Sequence, residues 1–264
     1  MTQPQINPLL ERLRMPGTTF RLPSQGIFYT DGELAAEVHN GEVEVYPMTA
    51  MEEIILSTPD KLLSGKAITE VFTRCIPQII RPNDLLSKDV DFLMVCLRMV
   101  SFGSHMDITY QHSCEGALNH TYAVDLQSML QSTKSIDPTS INTEYTHTLP
   151  NGQIVTLKPL TYGNMIELYQ STAMSKTDDI SADEAEHLVI DTLTSVVKSV
   201  DTVDNKVFIR EWVAAMSLGW KKQLEKQAQN VSQWGIEFTT AQQCKDCKEH
   251  LKINVGANPV SFFT

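Results

Sequence analysis

Two stretches of this chain repeat one layout, and an internal repeat constrains a fold more tightly than composition does. Residues 43–56, VEVYPMTAMEEIIL, read as a short alternating strand, a Pro-Met-Thr corner and the start of an apolar-periodic helix. Residues 155–168, VTLKPLTYGNMIEL, read the same way, and Pro47, Thr49, Ile54 and Leu56 fall on Pro159, Thr161, Ile166 and Leu168 at one constant offset. In each copy the threonine stands at a helix N-cap, where a hydroxyl can accept from the free N–H groups of the first turn. An L-P-x-x-G turn at 22–26 precedes the first copy and L-P-N-G at 149–152 the second, and the pair Asn151-Gly152 favours a type I′ hairpin.

The correspondence extends along both halves. Residues 67–79 and 188–200 place apolar residues at helical spacing, as do 87–100 and 207–228. Each half then closes with a strand, a cysteine-containing turn and another strand, at 106–126 and 235–255. These patterns predict an α+β fold of two similar subdomains, each a small antiparallel sheet with several helices and a zinc-knuckle-like Cys/His turn. The expected organisation is an N-terminal arm at 1–20, a first subdomain at 21–130, a Ser/Thr/Pro-rich linker at 131–147 and a second subdomain with a tail at 148–264. Phe262 and Phe263 in that tail either fold back onto the domain or dock on another subunit.

Chemistry concentrates in the cysteines. Cys75 and Cys96 sit in apolar runs and read as buried thiols. Cys244-Lys-Asp-Cys247 has the spacing at which one tight turn presents two thiolates to a tetrahedral Zn²⁺. The matching turn of the first half offers only Cys114, between His112 and His120. A site shared by both turns would use Cys114, His120, Cys244 and Cys247, with His112 or His250 as alternative ligands. A thioredoxin-like redox pair fits less well, because Cys247 leads into a strand rather than a helix.

Other signals exclude rather than assign. A net charge of −11 argues against binding nucleic acid or anionic membrane, and no apolar run is long enough to insert in a bilayer. The N-terminus shows no apolar export segment, so reduced thiols are expected and the sequons at Asn119 and Asn230 carry no weight. No nucleophile elbow, P-loop or H-E-x-x-H occurs. Ser101, Ser104 and His105 read as a turn, and Glu52-Glu53, Asp178-Asp179 and Asp183-Glu184 as solvated or first-turn acids, so no catalytic residue is expected.

Five segments in order carry a resemblance: L-P-S-x-G-x-x-Y at 22–29, V-x-V-Y-P-M-T at 43–49, L-S-G-K-A at 63–67, R-x-x-S-F-G at 98–103 and H-x-C…H-x-Y at 112–122. With L-P-N-G…L-K-P-L-T and the closing C-x-x-C…N-P-V-S-F-F, the chain resembles baseplate hub and tail assembly proteins of T-even-like contractile-tailed bacteriophages. The resemblance implies a non-enzymatic structural component of the baseplate hub. It would be made in the host cytoplasm, carried in the virion tail, and bound to other hub proteins and the tape-measure protein. A chaperone that holds the tape-measure and hub complex and leaves before maturation is the alternative. A zinc-dependent or redox enzyme is the alternative of another class. The first turn departs from the family pattern, with Cys114 alone where a cysteine pair is expected, so it lacks the donors for a self-contained zinc site.

Overall fold

The computed structural model of the chain describes residues 15–30, 32–114, 118–139, 141, 145–173, 182–256 and 262–263. The expected arm as far as Arg14, residues 142–144 of the expected linker, Asp178-Asp179, and residues 257–261 lie outside the described residues, as do the side chains of Asp183 and Glu184.

The first half begins with a hairpin of β1 (Thr18–Arg21) and β2 (Glu42–Val45), in register Thr18 to Val45. Val43 and Val45 alternate onto the buried face, as a half-exposed strand requires. Helix α1 (Ala50–Leu56) starts at Thr49, whose hydroxyl caps the first turn while the Glu52 carboxylate reaches back to the Thr49 N–H. Burial by itself would raise the Glu52 pKa, but the Thr49 hydroxyl and backbone hydrogen bonds hold it below the ordinary carboxylate range. After α2 (Pro59–Leu63), helix α3 (Lys66–Cys75) buries Ala67, Ile68, Val71, Phe72 and Cys75 along one stripe. Helix α4 (Ser87–Phe102) is apolar on almost every side, with Phe92 to Leu97 all buried, and forms the axis of the first core. The hairpin of β3 (His105–Tyr110) and β4 (His120–Asp125) follows, then the short α5 (Leu126–Gln131).

The second half opens with β5 (Thr146–Thr148) and β6 (Ile154–Leu157). The turn between them differs from the expected type I′. Only Gly152 has positive φ, at 85°, whereas type I′ requires it at Asn151 as well. Leu149 and Gln153 close a longer loop, the Leu149 N–H donating to the Gln153 carbonyl at 2.9 Å. Helix α6 (Tyr162–Ala173) is capped reciprocally, the Asn164 N–H donating to the Thr161 hydroxyl and the Thr161 N–H to the Asn164 side-chain oxygen. Helix α7 (Ala182–Val196) stops short of the expected 200, because β7 (Val197–Val200) pairs with β6 as a third strand through Val197, Ser199 and Val200, with a bulge at Lys198. The expected helix at 207–228 is two helices, α8 (Lys206–Ala215) and α9 (Leu218–Asn230), since Ser217 ends one turn and caps the next. A final hairpin, β8 (Thr239–Gln243) with β9 (His250–Asn254), mirrors β3–β4.

Helical starts join the halves. The Ser87 N–H donates to the Leu160 carbonyl at 2.9 Å and the Tyr162 N–H to the Leu85 carbonyl at 2.7 Å. The expected linker is tied down too: Ile136 is buried with its N–H on the Pro23 carbonyl, and buried Tyr145 donates its hydroxyl to the Val231 carbonyl at 2.9 Å. Two main cores result. One is built on α3 and α4, the other on α7, α8 and the three-stranded sheet. Ile236, Val255 and Phe262 belong to the first core, so the chain crosses back at its end and lays its last hairpin on the first half.

The motif at 22–29 is a turn that clamps the start of α4. Asp89, fully buried in the first turn of that helix, accepts from the Ser24 N–H at 3.0 Å and the Tyr29 hydroxyl at 2.7 Å. The Tyr29 oxygen in turn accepts from the Leu86 N–H at 2.9 Å. Gly41 has to be glycine for this turn to close: its φ is 70°, and a Cβ there would lie 2.8 Å from the Gln25 carbonyl carbon and 2.9 Å from the Gly26 nitrogen. Backbone cannot yield as a flexible side chain can. Gly41→Ala is therefore expected to cost about 2 kcal/mol, from left-handed strain plus displacement of the turn. Chemical denaturation gives the value, and a cost below about 0.5 kcal/mol would refute the steric argument.

Candidate metal centre

The turns of the two hairpins β3–β4 and β8–β9 meet. His112 and Cys114 come from the first, Cys244 and Cys247 from the second, and their ligand atoms all lie within 4.8 Å of one another. Cys114 Sγ is 4.0 Å from Cys244 Sγ, and Cys247 Sγ is 3.5 Å from His112 Nδ1. Donors held tetrahedrally at about 2.1–2.3 Å from Zn²⁺ stand roughly 3.5–3.8 Å apart, so the Cys247–His112 pair already has that spacing and the other donors need close by no more than about 1 Å.

Local sequence explains the second turn. Strand register brings Gln243 opposite His250, and the Cys244 N–H donates to the Glu249 carbonyl at 2.8 Å. The Lys248 N–H then returns to the Cys244 carbonyl at 3.0 Å, with Lys248 at φ 65°, which curls both cysteines to one side. The backbone N–H of Cys247 and then that of Asp246 stabilise the Cys244 thiolate and bring its pKa down to about 6. Cys114 is pushed the other way, to about 11, by desolvation and by hydrogen bonding with the neighbouring thiols.

A small apolar cluster supports the site from below: Tyr122, Leu251 and Ile253 with Cys244, and Ile108 and Cys114 against them. Polar bonds lock one hairpin to the other. The Gln242 amide donates to the Ala123 carbonyl at 3.0 Å, and the Lys245 ammonium donates to the Thr121 carbonyl at 2.6 Å while lying over the Tyr122 ring.

The remaining histidines are placed elsewhere. His120, at the first position of β4, puts Nε2 2.8 Å from Asp246 Oδ2, and Asp246 is one of the two residues between the cysteines of the turn. His250 is exposed at the first position of β9. His112, which the spacing leaves as one of two alternatives, is the histidine that stands with the thiols, and its Nε2 lies 3.6 Å from Glu249 Oε2. Glu249 has no signal in the sequence, because its relation to His112 depends on how the hairpins pack.

The other chemical groups are quiet. Cys75 and Cys96 are buried thiols; desolvation, with the Glu52 charge behind it, pushes Cys75 up to about 12, and desolvation raises Cys96 well above the ordinary thiol range. Ser101 donates to the Leu97 carbonyl within α4 and accepts from the Met48 N–H, and half-buried Ser104 and exposed His105 share a bond across the turn that follows Gly103. Among the described residues no helix is long and apolar enough to cross a membrane.

Fold and site together define an α+β protein carrying a three-cysteine, one-histidine cluster able to hold a metal ion. The chain belongs to the family described as T4 bacteriophage base plate protein, whose model matches residues 15–264. Membership implies a place in the virion tail and contacts with other tail proteins. Nothing matches among curated proteins or among solved structures.

Proposed function

We propose that this protein is a structural component of the baseplate hub, acting through contacts with other hub proteins and with the tape-measure protein. The observation that carries the reading is the family match over residues 15–264. Surface chemistry supports it: Val207 and Phe208 at the start of α8 and Leu218 at the start of α9 are large apolar side chains at least 60% exposed, of the kind that anchor specific interfaces. The role is non-catalytic. Three thiolates and an imidazole make a complete tetrahedral set, so Zn²⁺ bound there would add stability and leave no open position for a substrate. Assembly begins in the host cytoplasm and the protein stays in the mature tail.

Quantitative mass spectrometry of purified virions tests this directly. The expected result is this chain at a fixed ratio to known baseplate proteins. Its absence from virions, together with its recovery on tape-measure complexes from infected cells, would replace the hub reading with that of an assembly chaperone.

A further inference from the structure

We infer that one Zn²⁺ is held by His112 Nδ1, Cys114, Cys244 and Cys247, and that it works as a clasp between the two halves of the chain, with Glu249 as a positioning residue. The inference stands apart from the hub reading, because it concerns the isolated chain and not the particle.

Three observations carry it. The donors come two from each hairpin, separated by 130 residues between Cys114 and Cys244, and still lie within 4.8 Å of one another. An ion bound to all four would cross-link the β3–β4 turn to the β8–β9 turn, and neither turn alone has a full ligand set. The donor chemistry selects the metal: three soft thiolates with one imidazole suit Zn²⁺ and exclude Mg²⁺ and Ca²⁺, which take oxygen. Finally, His112 presents Nδ1 to the thiols while Nε2 faces the Glu249 carboxylate, the arrangement in which a carboxylate fixes the tautomer and ring angle of a metal-bound histidine.

The same geometry gives His120 a different task. Its bond to Asp246, together with the Leu118 N–H donating to the same carboxylate oxygen at 3.4 Å, ties the loop of the first hairpin to the turn of the second without using a ligand atom. His120 braces the clasp and does not coordinate.

The test uses the full chain purified under reducing conditions. Zinc measured by inductively coupled plasma mass spectrometry is expected at one ion per chain. Replacement by Co²⁺ is expected to give tetrahedral ligand-field bands with the charge-transfer intensity of three thiolates. Cys114→Ser and Cys247→Ser, one change in each half, should each cut zinc affinity at least about 100-fold, and His112→Ala should remove the imidazole from the cobalt site with all three thiolates retained. Glu249→Gln should weaken zinc about tenfold with the cobalt spectrum unchanged, and His120→Gln should leave one zinc bound. Zinc held without Cys114, or lost in His120→Gln as fully as in Cys114→Ser, would overturn the ligand set. A wild-type chain that binds no zinc and no cobalt, or that buries two thiols in a Cys114–Cys244 disulfide, would overturn the clasp itself. The cobalt spectrum of the wild-type protein decides this even where a cysteine variant fails to fold.

Discussion

Phe262→Ala is expected to lower the stability of the folded chain by about 3–4 kcal/mol, although the residue lies two positions from the last in the sequence. The side chain is 1% exposed, sits in the first core, and meets Phe238 and Phe263 edge to face at centroid distances of 6.1 and 5.4 Å. The Arg98 guanidinium lies 5.7 Å from its ring and donates to its carbonyl at 2.6 Å, so the backbone is anchored along with the ring. Removing the ring strips apolar contacts from α4 and opens a cavity that a packed core fills only in part. Urea unfolding should show a lower midpoint at an unchanged slope, and half-buried Phe263→Ala should cost roughly 1–2 kcal/mol. A loss below about 1 kcal/mol for Phe262→Ala would mean that the tail is not part of the core. Of the two fates open to the tail, the first is the one observed. Deleting residues 258–264 would thus unsettle the fold before it could report on docking.

The second large effect is a dependence on pH. Burial pushes the Asp89 carboxyl up to about 6 against the pull of its hydrogen bonds from Ser24 and Tyr29, while an exposed aspartate titrates near 3.9. Tyr29 keeps its proton throughout, its pKa raised by burial and then by the Asp89 charge. The folded chain therefore binds the Asp89 proton more tightly than the unfolded chain does. Stability from this group is full below about pH 4 and falls as pH rises through about 6, by up to about 3 kcal/mol. Asp91, raised to about 6 mainly by desolvation, moves in the same direction. Carboxylates held below their ordinary range, such as Glu52 and Asp246, act oppositely and lose their contribution as pH falls. Asp89→Asn separates the terms. Relative to wild type, the variant should gain about 3 kcal/mol between pH 4 and pH 7, read from paired denaturation curves. Parallel curves across that range would show that the buried carboxyl does not titrate there.

Structural features written within a few residues of sequence were legible. Thr49 and Thr161 cap helices because a hydroxyl next to a free N–H needs no tertiary partner to act. The C-x-x-C turn curls its thiols to one side because its hydrogen bonds run only from Cys244 to Glu249. The Leu-Pro-Ser turn at residues 22–29 stood out as a motif, yet its task of gripping Asp89 required α4 to arrive from sixty residues away. Periodicity misplaced two helix ends, at Val196 and Met216, where pairing with β6 and capping by Ser217 outweighed a continuous apolar pattern.

By itself, then, the sequence determined the alternation of hairpins and helices in two matching halves, the buried thiols, and the three cysteines free to meet a metal. Tertiary structure alone decided which histidine stands beside them, that the linker and the tail are packed, and that the last hairpin lies on the first half. The reason is range. Caps, turns and apolar stripes follow from bonds and side-chain spacing between near neighbours, whereas His112, Cys114, Cys244 and Cys247 share a site only because two hairpins from opposite halves bury Tyr122, Leu251 and Ile253 between them.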